Sequence, residues 1–201
     1  MSRRKASLPS AYFAALYQAD ADPWQFATSD YEREKYAATL AALPLQAYRS
    51  GFEVGCSIGV LTSQLARRCD RLLAVDSVAA ALSQARTRCR GYPGLRFELM
   101  EVPKQLPDGP FDLLVLSEVV YYWSVVDLER MAAFAMQAVE PGGDIVLVHW
   151  TGETDYPLTG DEAAQLFIDA TAPFTRIVRQ DRAEFYRIDV LQRIGQQVSS
   201  A

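Results

Sequence analysis

Residues 53–59 read Glu-Val-Gly-Cys-Ser-Ile-Gly, and a carboxylate, Asp76, follows where the next apolar run ends. Gly55 and Gly59 would let the backbone come close to a ligand, and a helix N-terminus behind them would add positive potential. Asp76 stands about twenty residues on, where an acid can accept hydrogen bonds from ribose hydroxyls. Two nucleoside-bearing ligands share this geometry. A dinucleotide site usually reads G-x-G-x-x-G and lays its pyrophosphate on the helix N-terminus. Here the spacing is G-x-x-x-G, with Ser57 in the middle and Glu53 just before. A carboxylate at Glu53 would repel a pyrophosphate and attract a zwitterionic amino-acid tail, which favours S-adenosylmethionine over NAD.

Further residues of chemical interest fall at the ends of later apolar runs. Glu118 closes one run, with Tyr121 and Tyr122 behind it, and His149, the only histidine, closes the next. If a methyl group is transferred to an amine, the nitrogen must first lose its proton, so a base or desolvating pocket is needed. Glu118 could bind an incoming ammonium or take its proton. Tyr122 could wall the acceptor, and His149 could serve as base if the acceptor is a hydroxyl. Asp155 and Asp161 sit in a loop able to close over substrate. No set of Asp, Asn or His has metal-ligand spacing, so no metal is expected.

These residues need elements to hold them. Residues 8–50 read as helical, with Ser29 and Glu32 forming a capping box and Pro44 ending the helix. From residue 51 strands alternate with helices. The strands are expected at 51–54, 71–75, 95–100, 111–116 and 144–148, the fourth being the most continuous apolar run. The helices between them span 60–68, 77–89, capped by Ser77, and 124–139. Residues 141–143, Pro-Gly-Gly, should turn the chain into the fifth strand. After a helix opening on a second capping box at Thr159 and Glu162, segments 174–179 and 184–194 can pair as an antiparallel hairpin. The expected fold is α/β: a doubly wound, seven-stranded, mostly parallel sheet with an N-terminal helical cap at 1–50 and one globular unit at 51–195.

On these residues the sequence resembles the class I S-adenosylmethionine-dependent methyltransferases, a Rossmann-like family. Glu53, Gly55, Ser57 and Gly59 match its first motif, with serine in place of the middle glycine. Phe111-Asp112-Leu113-Leu114-Val115 and Glu140-Pro141-Gly142-Gly143 match its fourth- and fifth-strand motifs. The resemblance implies a ribose role for Asp76 and an adenine-side segment at Met100-Glu101-Val102, with Cys56, Ser77 and Ser117 on the cofactor wall. Ser117-Glu118-Val119-Val120 in place of the methyltransferases' Asn/Asp-Pro-Pro-Tyr signature implies, on the same resemblance, that nucleobase amines and glutamine are not the acceptors. A narrower similarity, to the rhizobial nodulation protein S group of N-methyltransferases, rests on Asp22-Pro23-Trp24, Tyr31-Glu32-Arg33-Glu34-Lys35, Phe52-Glu53-Val54-Gly55-Cys56 and Ser117-Glu118-Val119-Val120-Tyr121-Tyr122. It implies that Trp24 and Lys35 belong to a lid, with Lys35 pairing the methionine carboxylate, and that the acceptor is a small or saccharide amine, such as a chito-oligosaccharide. Residues 149–161 depart from that group's pattern.

Composition narrows the rest. The 201 residues are 50% hydrophobic and 22% charged, with a formal net charge of -5, a balance that disfavours binding to a phosphate backbone. The three cysteines, Cys56, Cys69 and Cys89, show no metal or disulfide spacing, so reduced thiols in a cytoplasmic protein are expected. No apolar run is long enough to span a bilayer, so neither a nucleic acid nor a membrane is expected as partner. The readings in competition are an N-methyltransferase, an O-methyltransferase with His149 as base, a nucleotide-dependent oxidoreductase, and a non-catalytic cofactor-binding domain. Oligomeric state is open.

Overall fold

The computed structural model describes residues 3–195. Two helices come first, α1 (Ser10–Ala19) and α2 (Asp30–Ala42). The alternating unit then runs β1 (Tyr48–Val54), α3 (Val60–Leu65), β2 (Cys69–Asp76), α4 (Ala79–Arg88), β3 (Leu95–Leu99), β4 (Phe111–Ser117), a 3-10 turn (Val120–Tyr122), α5 (Val125–Ala138), β5 (Val139–Trp150), α6 (Gly160–Thr171), β6 (Thr175–Arg182) and β7 (Tyr186–Arg193). The sheet order is β3-β2-β1-β4-β5-β7-β6. β7 alone reverses, running antiparallel to β5 and β6. The strand order turns around between β1 and β4, and ligands of doubly wound sheets bind beyond the carboxyl ends at such a point.

β4 holds the centre because nothing in Leu113-Leu114-Val115-Leu116 needs water, and all four are fully buried. Its alternate side chains feed two cores: Leu114 and Leu116 pack with α5 and α6 residues such as Leu128 and Phe167, while Leu113 and Val115 face Tyr36, Leu61 and Leu65. The second core therefore includes the N-terminal helix α2, which fastens the cap to the sheet. Helix starts follow their caps. The Ser124 hydroxyl accepts from Asp127 N, and Thr159 and Glu162 form a complete reciprocal box.

Four local expectations need correction. Ser29 accepts from Glu32 N, but the Glu32 carboxylate turns to Lys35 instead of closing the box. Ser77 does not cap α4. The entry is held by Asp76, whose Oδ1 accepts from Val78 N at 2.9 Å. β1 starts at Tyr48, so the boundary expected at residue 50 falls inside a strand. Residues 141–143 do not turn the chain into a new strand; β5 runs through them, with a register shift opposite Phe111 and Leu113.

Candidate active site

A cavity of about 960 Å³ opens over the carboxyl ends of β1, β2 and β4. That volume is at the upper end of ligand pockets and large enough for a cofactor and an acceptor together. One wall is the loop after β1. Gly55 has φ +72, and a Cβ there would meet Val119 Cγ1 at 2.4 Å, so the two strand-end loops touch only because glycine is present. Ser57 adopts φ 53 without being glycine. Its N–H donates to Asp76 Oδ2 at 2.9 Å, and its hydroxyl meets Tyr17 of α1. Gly59, with φ +80, lies behind the wall, where its missing Cβ lets α3 approach Ala85 of α4.

Asp76 is 9% exposed. Burial raises its pKa, against the pull of the backbone N–H groups of Val78 and Ser57. Those two bonds take one lone pair from each oxygen, which leaves acceptor capacity on both. Glu53 is more exceptional. Its Oε2 is buried outside the reach of any well-formed hydrogen bond, with the Thr62 hydroxyl as the polar neighbour that offsets part of the cost of burial. Burial, with a contribution from Asp76, lifts its pKa to about 8. An orphaned carboxyl facing the cavity is what the amino-acid end of a zwitterionic ligand would satisfy, so the residues present fit S-adenosylmethionine. Burial also pushes the Cys56 thiol well up, which makes it an unreactive wall.

At the other end Glu118, with φ 57, is gripped on both oxygens. Oε1 accepts from Lys35 Nζ at 2.6 Å, and Oε2 from the Tyr121 hydroxyl at 2.6 Å and Trp150 N at 2.9 Å. Burial would raise its pKa, but Lys35 overcomes that and the carboxyl ends below its ordinary value. Glu118 is therefore a fixed anion and a weak base, which corrects half of its expected role. Lys35 is corrected too. It is 2% exposed, and two of its three N–H donors are committed to Glu118 and Glu32, so its charge is engaged within the protein rather than held for a methionine carboxylate. Burial would depress Lys35, and the two carboxylates more than restore it.

His149 does not reach the cavity. It is fully buried behind Tyr121, their ring centroids 5.3 Å apart. Its Nε2 accepts from Val120 N at 3.3 Å and its Nδ1 has no partner. Burial drives its pKa down to about 4. A base for a hydroxyl acceptor cannot be built on it. Asp161 is bonded to Arg182 and Arg187, away from the wall, and Asp155 is exposed opposite Arg4.

The remaining expected residues all stand on the cavity: Trp24, Ser77, Met100, Glu101, Val102, Ser117 and Tyr122. Trp24 is half-buried, stacked on Phe26 at 5.4 Å and edge-on to Tyr17 at 5.6 Å. The Glu101 carboxylate is turned to Lys104 at 2.7 Å. Tyr122 packs between Phe13 at 4.8 Å and Tyr156 at 4.7 Å. Reasoning from sequence missed Tyr31 and Glu32, both on the wall. The signal was present: Glu32, Lys35 and Tyr36 share one face of α2 at helical spacing. Among the described residues no group of three or more His, Cys, Asp or Glu is disposed to hold a metal ion, and no helix is long and apolar enough to cross a membrane.

The strand order with its reversed last strand, and the glycine loop over the switch point, define the fold of the class I S-adenosylmethionine-dependent methyltransferases. Within that class the chain belongs to the nodulation protein S (NodS) family, whose family model matches residues 16–145, well over half of its length. Nodulation protein S of Rhizobium tropici is 32% identical over 127 residues, 62% of this chain and 53% of that protein. The chain thus spans about half the length of the curated relatives it matches. A crystal structure from Pseudomonas syringae assigned to the methyltransferases is 34% identical, with a TM-score of 0.72, covering 81% of this chain and 99% of that one. The crystal structure of N-methyltransferase NodS from Bradyrhizobium japonicum WM9 in complex with S-adenosyl-L-homocysteine has a TM-score of 0.80 at 22% identity, covering 92% and 98%.

Proposed function

We propose that this protein transfers a methyl group from S-adenosylmethionine to the nitrogen of a small or saccharide amine. The observation that carries the reading is the division of one cavity into two acidic ends: the unpartnered Glu53 beside the glycine loop, and the Glu118 anion beside Tyr122. When bound, the cofactor supplies a methyl group already activated on a sulfonium. Glu53 holds the ammonium of the methionine part, Asp76 the ribose hydroxyls, Met100–Val102 the base, and Trp24 covers it. The protein's share of the catalysis is alignment and exclusion of water, an effect worth several kcal/mol in well-oriented systems. Glu118, unable to act as a strong base, contributes a fixed negative field that favours a cationic acceptor.

Nitrogen is preferred over oxygen because the Glu118 anion on the wall suits a cationic acceptor, and the histidine expected as base for a hydroxyl lies outside the cavity. Free cysteines Cys56, Cys69 and Cys89 suit a reducing cytoplasm, where we place the protein. The test is product analysis by mass spectrometry after incubation with S-adenosylmethionine and matched acceptors: glucosamine and chitosan oligomers against glucose, and benzylamine against benzyl alcohol. A mass gain of one methyl group confined to the amines is expected. Methylation confined to the hydroxyl partners would overturn the reading.

A further inference from the structure

Glu32 is a buried acid that the foregoing mechanism does not use. It lies on the cavity wall at 7% exposure, its Oε1 takes Lys35 Nζ at 2.9 Å, and its Oε2 is buried with no partner. The hydroxyl of Tyr31, the preceding residue and also on the wall, is likewise buried and unpartnered. The charge count around them does not close. Two carboxylates, Glu32 and Glu118, share the single ammonium of Lys35, which leaves one negative charge uncompensated among buried groups. A buried charge of that kind needs a partner or a proton. Glu118 already spends both oxygens on Lys35, Tyr121 and Trp150, so the open valence sits on Glu32 Oε2, whose carboxyl the Tyr36 hydroxyl faces without forming a well-placed bond to that oxygen.

Resting on the methyltransferase reading above, we propose that Glu32 Oε2 and the Tyr31 hydroxyl form the subsite for the acceptor's ammonium group, and that Glu32 receives its proton before methyl transfer. In that step one N–H bond breaks and leaves its electron pair on nitrogen, and an O–H bond forms on Oε2. The carboxyl returns the proton to water when product leaves. The setting suits a proton acceptor. Burial, with Glu118, holds the Glu32 pKa above its ordinary value against the pull of Lys35, whereas Glu118 lies below its own. The groups around the pair are Lys35 and Tyr36 from α2, Glu118 and Tyr121 after β4, and Tyr186 from β7. Tyr31 also places its ring 5.1 Å from Lys35 Nζ and edge-on to Trp150, an aromatic surface next to a bound cation.

The test uses the full chain loaded with S-adenosylhomocysteine, with benzylammonium, ethylammonium and glucosamine as probes and N-acetylglucosamine as uncharged control. Calorimetry on wild type should show binding of at least one ammonium and none of the control. Glu32→Gln should weaken that binding roughly tenfold or more, and Tyr31→Phe by a smaller factor, with affinity for S-adenosylhomocysteine and melting temperature held. Because Tyr31→Phe removes a hydroxyl that bonds nothing, it remains informative if Glu32→Gln folds poorly. In turnover, kcat/KM of Glu32→Gln should recover as the bulk pH approaches the amine's own pKa, since solvent then removes the proton. Binding of no probe by loaded wild type, or equal binding by wild type and both variants, overturns the subsite. So does loss of S-adenosylmethionine affinity with amine affinity kept, which would place the Glu32 charge at the sulfonium. Failure of wild type to bind S-adenosylhomocysteine at all is a different result, and sinks the methyltransferase reading itself.

Discussion

Glu53 and His149 are both buried ionisable groups, and their linkage to stability runs in opposite directions. Glu53 has its pKa raised from 4.5 to about 8, so the folded chain keeps a proton that the unfolded chain releases. Its contribution falls as pH rises from about 4.5 to 8 and is fully unfavourable above that. Glu53→Gln removes this penalty and is expected to stabilise the unliganded protein by on the order of 3 kcal/mol near pH 8, with little effect near pH 5. The same substitution should weaken S-adenosylhomocysteine binding, because the ammonium of its amino-acid end loses its counter-charge. Chemical denaturation at the two pH values, with calorimetry alongside, checks both halves. His149 is lowered from 6.5 to about 4, so its contribution is lost as pH falls through that window. A residue that is central to stability and silent at the site is what its burial predicts. From sequence, a lone histidine at a strand end could not be told from a base, because burial depth depends on Tyr121 folding over it.

At the level of elements, the βα alternation was legible because β2, β4 and β5 each carry an apolar run bounded by glycine, proline or a polar residue, and β1 runs into a glycine loop. The final hairpin was legible from the short spacing of its strands. Element ends were less so: Tyr48–Ser50 pair with β2 despite a polar middle, and Pro141–Gly143 lie inside β5 as an irregularity between its Val139–Phe111 and Asp144–Leu113 pairs. The segment before α1 was also illegible, since nothing local in Ser7-Leu8-Pro9 marks it as a roof. It crosses the cavity as a strap: Leu8 N donates to Tyr122 O at 2.9 Å, and Ser124 N donates to Ser7 Oγ at 2.8 Å. Ser7 Oγ in turn reaches Asp127. Deleting residues 1–9 removes these bonds while leaving α1 and α2 packed by Tyr17 and Tyr36. The expected outcome is S-adenosylhomocysteine that dissociates several-fold faster, with a melting temperature lowered by only a few degrees, as a loss of about 1–2 kcal/mol would give. Stopped-flow displacement measures the first and a thermal melt the second. An unchanged dissociation rate would make the strap mere packing.

At the scale of the whole molecule, the ends of a class I sheet and residues of the N-terminal helices line one cavity, and the proposed function gives each reactant one of its two acidic ends. That Glu53, Gly55 and Asp76 meet on one wall was readable, because a strand–loop–helix unit fixes where such residues go. The Glu118 end was not, because it is assembled from α2, the turn after β4 and the end of β5, which are distant in sequence. Lys35 shows the difference: its place on one face of α2 with Glu32 and Tyr36 is readable, but only the fold brings Glu118 to within 2.6 Å of it. The central claim is that this cavity takes an S-adenosyl ligand at the Glu53–Asp76 end. Calorimetric titration of the full chain with S-adenosylhomocysteine, with NADH as control, on wild type and Asp76→Ala tests it most directly. Micromolar binding of S-adenosylhomocysteine alone, lost in a variant that still melts cooperatively, is the expected result. NADH binding with S-adenosylhomocysteine ignored, or equal S-adenosylhomocysteine affinity in the variant, would contradict the account.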